Sequence, residues 1–230
     1  MCGRYSASSN AKLISETFEV AESADLEPRW NVAPTQEAPV VRLAASGRRR
    51  LHLLRWGLIA RGATNPTGGR INARSETVET IPAFRDAFRE RRCLVPADGF
   101  YEWLKLEGRR HPFHIRRRDR LPFAFAGLWS RWQPKHDLPI ESFTILTCPP
   151  SNLVRPLHDR MPVILPRAAW ESWLSPEVGP TELHALLVPW AGDELEAVPV
   201  SSAVNRADCE GVECVREVPR PVAKQLSLLV

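Results

Sequence analysis

No stretch of this sequence approaches the roughly 18 consecutive apolar residues that a membrane-spanning helix needs. Nothing behind Met1 reads as a secretory signal. The expectation is therefore a cytoplasmic protein with no membrane partner. No CxxC pair occurs among the five cysteines, Cys2, Cys93, Cys148, Cys209 and Cys214. A zinc knuckle or a dithiol redox motif is thus not indicated, and neither a metal nor a cofactor is expected. The one close pair, in "CEGVEC" at 209–214, has no histidine nearby. Most of these thiols read as reduced and structural. Repeats and low-complexity tracts are missing too, and the 21 prolines are scattered rather than gathered into a linker. Lysine is scarce: Lys12, Lys105, Lys135 and Lys224 are the only ones among 31 basic residues.

What is present is an ordinary globular composition, 43% hydrophobic and 25% charged over 230 residues. A chain of this length buries a substantial core without disulfides. The formal net charge is +4, carried almost entirely by arginine. Guanidinium forks suit phosphate and stack on bases, so nucleic acid is an admissible partner, although charge alone does not select it.

Short strand-like runs dominate: 38–45, 51–59, 99–106, 111–117, 121–129 and 141–148, with turn residues such as Ser46-Gly47 and Glu107-Gly108 between some of them. Helical patterns are fewer. They cover 9–20, 81–92 with Phe84 and Phe88 on one face, 166–175 starting at Pro166, and 181–189 with Thr181 as cap. Strands mostly follow strands, which predicts an α+β fold in a single domain, mainly antiparallel β with a few flanking helices.

Several segments carry chemistry. "MCGRY" opens the chain. Removal of Met1 would leave Cys2 with a free α-amine and a thiol on adjacent carbons, which no internal cysteine offers. "INARSET" at 71–77 alternates Asn72, Arg74 and Glu76. "PADGFYEW" at 96–103 sets Glu102 between Tyr101 and Trp103, where partial desolvation would raise its pKa. "RPLHDRMPVIL" at 155–165 carries His158, Asp159 and Arg160 before an apolar run. Singly, Glu102 also reads as a solvated strand residue, His158 as a turn histidine and Asn72 as a turn cap. Together they assemble a proton donor, a group titrating near neutrality and an amide that orients an oxygen around one nucleophile.

Seven stretches, "MCGRY" at 1–5, "PRWNVAPTQ" at 28–36, "RWGLI" at 55–59, "INARSET" at 71–77, "RCLVPADGFYEW" at 92–103, "HDRMPVIL" at 158–165 and "VSSAVN" at 200–205, resemble in order the motifs of the SOS response-associated peptidase (SRAP) family. The resemblance implies one SRAP domain over 1–230, with motifs in 1–205 and a C-terminal strand and tail in 206–230. It implies a monomeric, nucleoid-associated protein of the DNA damage response, if bacterial. It also implies removal of Met1 as the limit of its peptidase activity, followed by capture of abasic sites in single-stranded DNA. In that chemistry the Cys2 amine forms an imine with the abasic aldehyde and the Cys2 thiol closes a thiazolidine, a durable crosslink shielding the lesion. Cys2, Asn72, Glu102 and His158 are the implied catalytic residues. Arg4, Asn31, Pro34, Trp56, Arg74 and Arg160 are the implied DNA-binding residues, with core packing the competing reading for Trp56. Two departures stand out: "ARGATN" follows Ile59, and Trp30 occupies the usual tyrosine position of the second motif. Two other classes share parts of this pattern. One is an N-terminal-nucleophile amidohydrolase, which also begins Met-Cys-Gly. The other is a non-catalytic arginine-rich nucleic-acid binder.

Overall fold

The computed structural model describes residues 2–20, 26–134 and 138–222. Two sheets carry the chain. The first has five strands in the order Leu195–Pro199, Arg109–Arg117, Gly99–Leu106, Tyr5–Ala7 and Arg29–Val32. In the second, Ile140–Cys148, Arg49–Trp56, Glu37–Leu43, Arg92–Ala97 and Phe123–Trp132 pair in succession. Phe123–Trp132 then pairs back onto Ile140–Cys148, so these five strands close a ring. Closure removes the exposed edges that an open sheet would present.

The expected antiparallel character holds for most pairs. Ile140–Cys148 departs from it, because it runs parallel to both Arg49–Trp56 and Asn72–Arg74. The helices are short. Ala11–Phe18 is capped by Asn10, whose side chain accepts from the Leu13 N–H. Pro82–Glu90 begins with proline in its first turn and buries Phe84 and Phe88. It stops two residues before the sequence pattern suggests, since Arg92 already starts a strand. There the Arg92 guanidinium bonds the Phe88, Trp173 and Ser175 carbonyls, closing the helix end with a cation. At 181–189 the helix is Pro180–Ala185 and Gly179, not Thr181, is its cap. In 206–222 the expected C-terminal strand is replaced by a 3-10 turn at Val212–Val215 and one bridge between Val200 and Glu217. The rest of the expected tail, 223–230, lies outside the described residues.

The larger apolar cluster includes Tyr5 and Phe100 of the first sheet with Trp56 and Phe125 of the second. Tyr5 meets Trp56 at 5.2 Å and Phe125 at 5.8 Å between ring centroids, both edge to face. The N-terminal strand of the first sheet is therefore fixed against the second by the Tyr5 ring. Gly99 lets it sit there: a Cβ at that position would fall 2.1 Å from the His114 ring, and His114 Nε2 bonds Ser6 Oγ of the N-terminal strand at 2.9 Å.

Candidate active site

Cys2 is fully buried. It precedes the strand Tyr5–Ala7, which pairs Tyr5 with Phe100, and the Tyr101 N–H donates to the Arg4 carbonyl at 3.0 Å. The same antiparallel run directs the chain's first residues along Glu102 and Trp103. From the other sheet, Asn72 Nδ2 donates to the Cys2 carbonyl at 2.8 Å. Its Oδ1 is buried and accepts no hydrogen bond among the described residues. An amide with one end on Cys2 and an unfilled acceptor is suited to receive an ammonium or amine N–H. Burial, and then the charge of Glu102, push the Cys2 thiol well above the usual range. The sulfur is held as neutral S–H until a base removes its proton.

Glu102 lies on the strand Gly99–Leu106 and is only 3% exposed. Desolvation raises its carboxyl from 4.5 to about 7, against the pull of the positive chain terminus and with a smaller push from Asp159. A carboxyl poised near neutrality both gives and takes protons at working pH. His158 is partly exposed. Burial and the terminal charge lower its pKa, opposed by Asp159. Its Nδ1 accepts from the Arg160 N–H at 3.0 Å and lies 2.8 Å from Asp159 Oδ1. One nitrogen cannot accept from the first and donate to the second together. The neutral ring keeps the Arg160 bond and carries its proton on Nε2, whereas protonation turns Nδ1 toward Asp159. Glu102 and His158 share a groove of about 660 Å³ with Trp103, Lys105, Arg110 and Asp159.

The arginines divide into two groups. Arg160 forms a bidentate pair with Glu76 and also reaches the Thr147 carbonyl at 2.6 Å. The Arg160 bond is the main cause that holds the Glu76 carboxyl down at about 2. Arg160 is thus an anchor fixing the segment after His158, with its charge already matched. Arg4 donates to Asn31 Oδ1 at 3.0 Å and to the Val204 carbonyl at 2.9 Å. Arg74, by contrast, is exposed at the end of its short strand and makes no ion pair among the described residues. Pro34 is partly exposed at the turn before Thr35.

Two residues expected at the DNA face point inward instead. Asn31 is fully buried, and its amide spans the Arg206 and Cys209 carbonyls at 2.8 and 2.9 Å. Trp56 is also fully buried and bonds the Ile71 carbonyl at 2.9 Å. An indole between Tyr5 and Phe143 gains more from packing than from a wet surface. Trp56→Ala is expected to destabilise the fold by about 3–5 kcal/mol, read as a lower denaturant midpoint in equilibrium unfolding. Loss of DNA affinity without loss of stability would return Trp56 to the surface role.

Lys105 and Arg110 escaped the reading from sequence. The signal was present in the turn at Glu107-Gly108: a hairpin closed there sets Lys105 opposite Arg110, as observed. Asp159, noted but given no role, is the carboxylate whose charge bears on both Glu102 and His158. Met1 lies outside the described residues. Among those described, no cluster of three or more His, Cys, Asp or Glu could hold a metal ion.

The family model described as SOS response associated peptidase (SRAP) matches residues 1–207. The abasic site processing protein YoaM of Bacillus subtilis is 38% identical over 212 residues, 89% of this chain and 93% of that protein. The abasic site processing protein YedK of Escherichia coli is 30% identical over 228 residues, 95% of this chain and 100% of that protein. A crystal structure of a Bordetella bronchiseptica protein superposes with a TM-score of 0.77 at 30% identity, over 87% of this chain and 100% of the other. One from Bacteroides thetaiotaomicron reaches 0.87 at 24% identity, over 95% of this chain and 100% of the other, which speaks to the fold. A motif order read from the sequence, a matching family model over residues 1–207 and relatives aligned nearly end to end agree: this chain belongs to the SOS response associated peptidase family.

Proposed function

We propose that this protein processes abasic sites in single-stranded DNA by covalent capture on Cys2. Once Met1 is removed, the Cys2 amine attacks the aldehyde of the ring-opened sugar, and loss of water gives an imine. The Cys2 sulfur then adds to the imine carbon while its proton goes to the nitrogen, closing a five-membered thiazolidine. Overall one water leaves and no redox change occurs. An α-amine with a pKa of roughly 7.7–8.0 is partly neutral at cellular pH, where a lysine at about 10.4 is not. Glu102 supplies and recovers protons during ring opening and dehydration. Asn72 holds Cys2 by its carbonyl, and its free oxygen receives the new terminal amine. His158 serves the sugar hydroxyl from the same groove.

The observation that carries the reading is Glu102: a carboxyl 3% exposed and raised to about 7, close enough to Cys2 to shift its thiol. A structural strand glutamate gains nothing from that burial. The names of the relatives, abasic site processing proteins, support the same substrate. The test is incubation of the purified chain with a single-stranded oligonucleotide containing one abasic site. A heat-stable shifted band on a denaturing gel is expected. Glutaminase activity with no such band would favour the amidohydrolase class instead.

The unmatched cations supply the electrostatics. Lys105 and Arg110 face each other across the hairpin at the rim of the groove. Neither makes an ion pair among the described residues, unlike Arg160 with Glu76. Like charges directly opposed destabilise a sheet unless an anion lies between them. On this reading the anion is a phosphate next to the lesion. Replacing both by glutamine is expected to make log affinity against log salt shallower by about 0.7, the loss of one single-strand phosphate contact. Capture at saturating DNA should be unchanged. An unaltered slope would take these two cations out of the interface.

A further inference from the structure

The "CEGVEC" segment has no part in the capture chemistry, yet it is built against the wall behind it. Cys209 and Cys214 bring their sulfurs to 3.8 Å, and the Cys214 thiol also lies 3.3 Å from the Cys209 carbonyl. Both are free thiols, Cys214 buried and Cys209 partly exposed. They belong to a second, smaller apolar cluster with Tyr101, Val200, Val204, Trp30 and Trp103. Tyr101 and Trp103 are the neighbours of Glu102 in the sequence. The loop is tied to the site at several points. The Cys209 carbonyl accepts from Asn31 at 2.9 Å, Glu210 accepts from the Trp30 N–H at 3.0 Å, and Asn205 accepts from the Trp103 indole at 2.7 Å.

We propose that Cys209 and Cys214 form a peroxide-sensitive dithiol, whose disulfide closes this loop on itself where it packs against Tyr101 and Trp103, the neighbours of Glu102. Two sulfurs already in van der Waals contact need only close to about 2.05 Å. The intervening loop contains Gly211 at φ 114°, a conformation that side chains resist, so it turns tightly enough to bring residues five apart face to face. Sulfur exposure sets the order of events. Cys209, the partly exposed one of the two, is the sulfur that peroxide reaches. Burial, and then the hydrogen bond with Cys209, hold Cys214 up at about 12, which makes it the resolving partner.

The steps balance. The Cys209 sulfur attacks one oxygen of hydrogen peroxide, the O–O bond breaks, and the other oxygen leaves as water with the thiol proton. Cys209 is then a sulfenic acid. The Cys214 sulfur attacks it, the S–S bond forms, the S–O bond breaks, and hydroxide leaves as a second water with the Cys214 proton. Two thiols lose two electrons in all and the peroxide gains them. A cellular dithiol reverses the change by thiol–disulfide exchange.

The inference is independent of the DNA reading and is tested without DNA. The full chain is treated with one equivalent of hydrogen peroxide, alkylated under denaturing conditions and cut with trypsin. Cleavage after Arg206 and Arg216 places both cysteines in one peptide, 207–216. That peptide is expected about 2 Da lighter than its reduced, unalkylated form, refusing alkylation until it is reduced. The treated chain is expected to melt at a higher temperature than the reduced one. Cys209→Ala, at the more exposed position, should abolish both changes, and Cys214→Ser should divert Cys209 to sulfinic acid. A peptide that accepts two alkyl groups after peroxide, or a Cys209 sulfinic acid in the unaltered chain, would overturn the dithiol. A bridge that leaves the melting temperature where it was would overturn the stabilising effect of closing the loop.

Discussion

Glu102→Gln is expected to slow capture of abasic DNA by about 10²–10⁴-fold while DNA affinity stays nearly the same, because positioned acid–base catalysis contributes on that order. Glutamine keeps the shape and loses the titrating proton. The pH profile separates this role from a structural one. Capture needs the amine neutral, which improves as pH rises through roughly 7.7–8.0. It also needs Glu102 protonated, which fails as pH rises through about 7. The two limbs together give a maximum near the middle of that range. In the glutamine variant the falling limb disappears and only the rise remains. Single-turnover capture from pH 6 to 9 reads both; a variant that keeps the parent's rate and falling limb would remove Glu102 from the chemistry.

Stability should carry the same signature. Burial raises Glu102 above its ordinary value, so the folded chain keeps a proton that the unfolded chain releases. The contribution is fully present below about pH 4.5 and is lost as pH rises through about 7. Glu102→Gln has no such proton, so the gap between the two proteins in unfolding free energy should shift in favour of the variant across that window. A site that costs stability in its ionised form is what a functional carboxyl looks like, since a merely structural position would be filled by an apolar residue.

The sequence exposes local order better than long-range order. The strand Gly99–Leu106 falls on the boundaries read from its residues, because Gly99 and the Glu107-Gly108 turn mark both ends. The parallel pairing of Ile140–Cys148 with Asn72–Arg74 leaves no such mark. It joins segments some 70 residues apart, and no turn chemistry announces it. Yet that pairing carries Asn72 to the Cys2 carbonyl. The amide chemistry of Asn72 was therefore legible in the sequence, but its contact with the Cys2 carbonyl was not. The raised carboxyl of Glu102 was expected from its aromatic neighbours, but side chains alternate along Gly99–Leu106, so Tyr101 and Trp103 turn to the other face and the burial of Glu102 comes from the fold. Trp56 and Asn31 are both fully buried, which for Trp56 agrees with the core-packing reading held open from the sequence; neither burial is written in the short motif that carries the residue. Arg160 is the intermediate case: its position beside His158 was visible, but its neutralising partner Glu76 is 84 residues away.

Cys2→Ser should abolish the heat-stable adduct altogether, the largest effect expected of any substitution here. The variant retains the α-amine once Met1 is removed, so it still condenses with the abasic aldehyde. The serine hydroxyl is a far weaker nucleophile toward an imine than a thiol, and the imine remains open to water. Its adduct should therefore appear only when borohydride reduces it. In the parent the sulfur is on the adjacent carbon, and such intramolecular closures reach effective molarities of about 10⁵–10⁸ M. The buried S–H requires a base for that closure, since burial holds the thiol above its usual range. The amine and sulfur need not ionise together: once the imine forms, its nitrogen accepts the proton that the thiol gives up. Glu102, already coupled to Cys2 through charge, is placed to pass it. Intact mass of the reactive parent should lack Met1, because an amide at the Cys2 nitrogen cannot form the imine. A heat-stable adduct from Cys2→Ser without reductant, or from parent protein that still carries Met1, would overturn the thiazolidine and leave this groove with a different covalent chemistry.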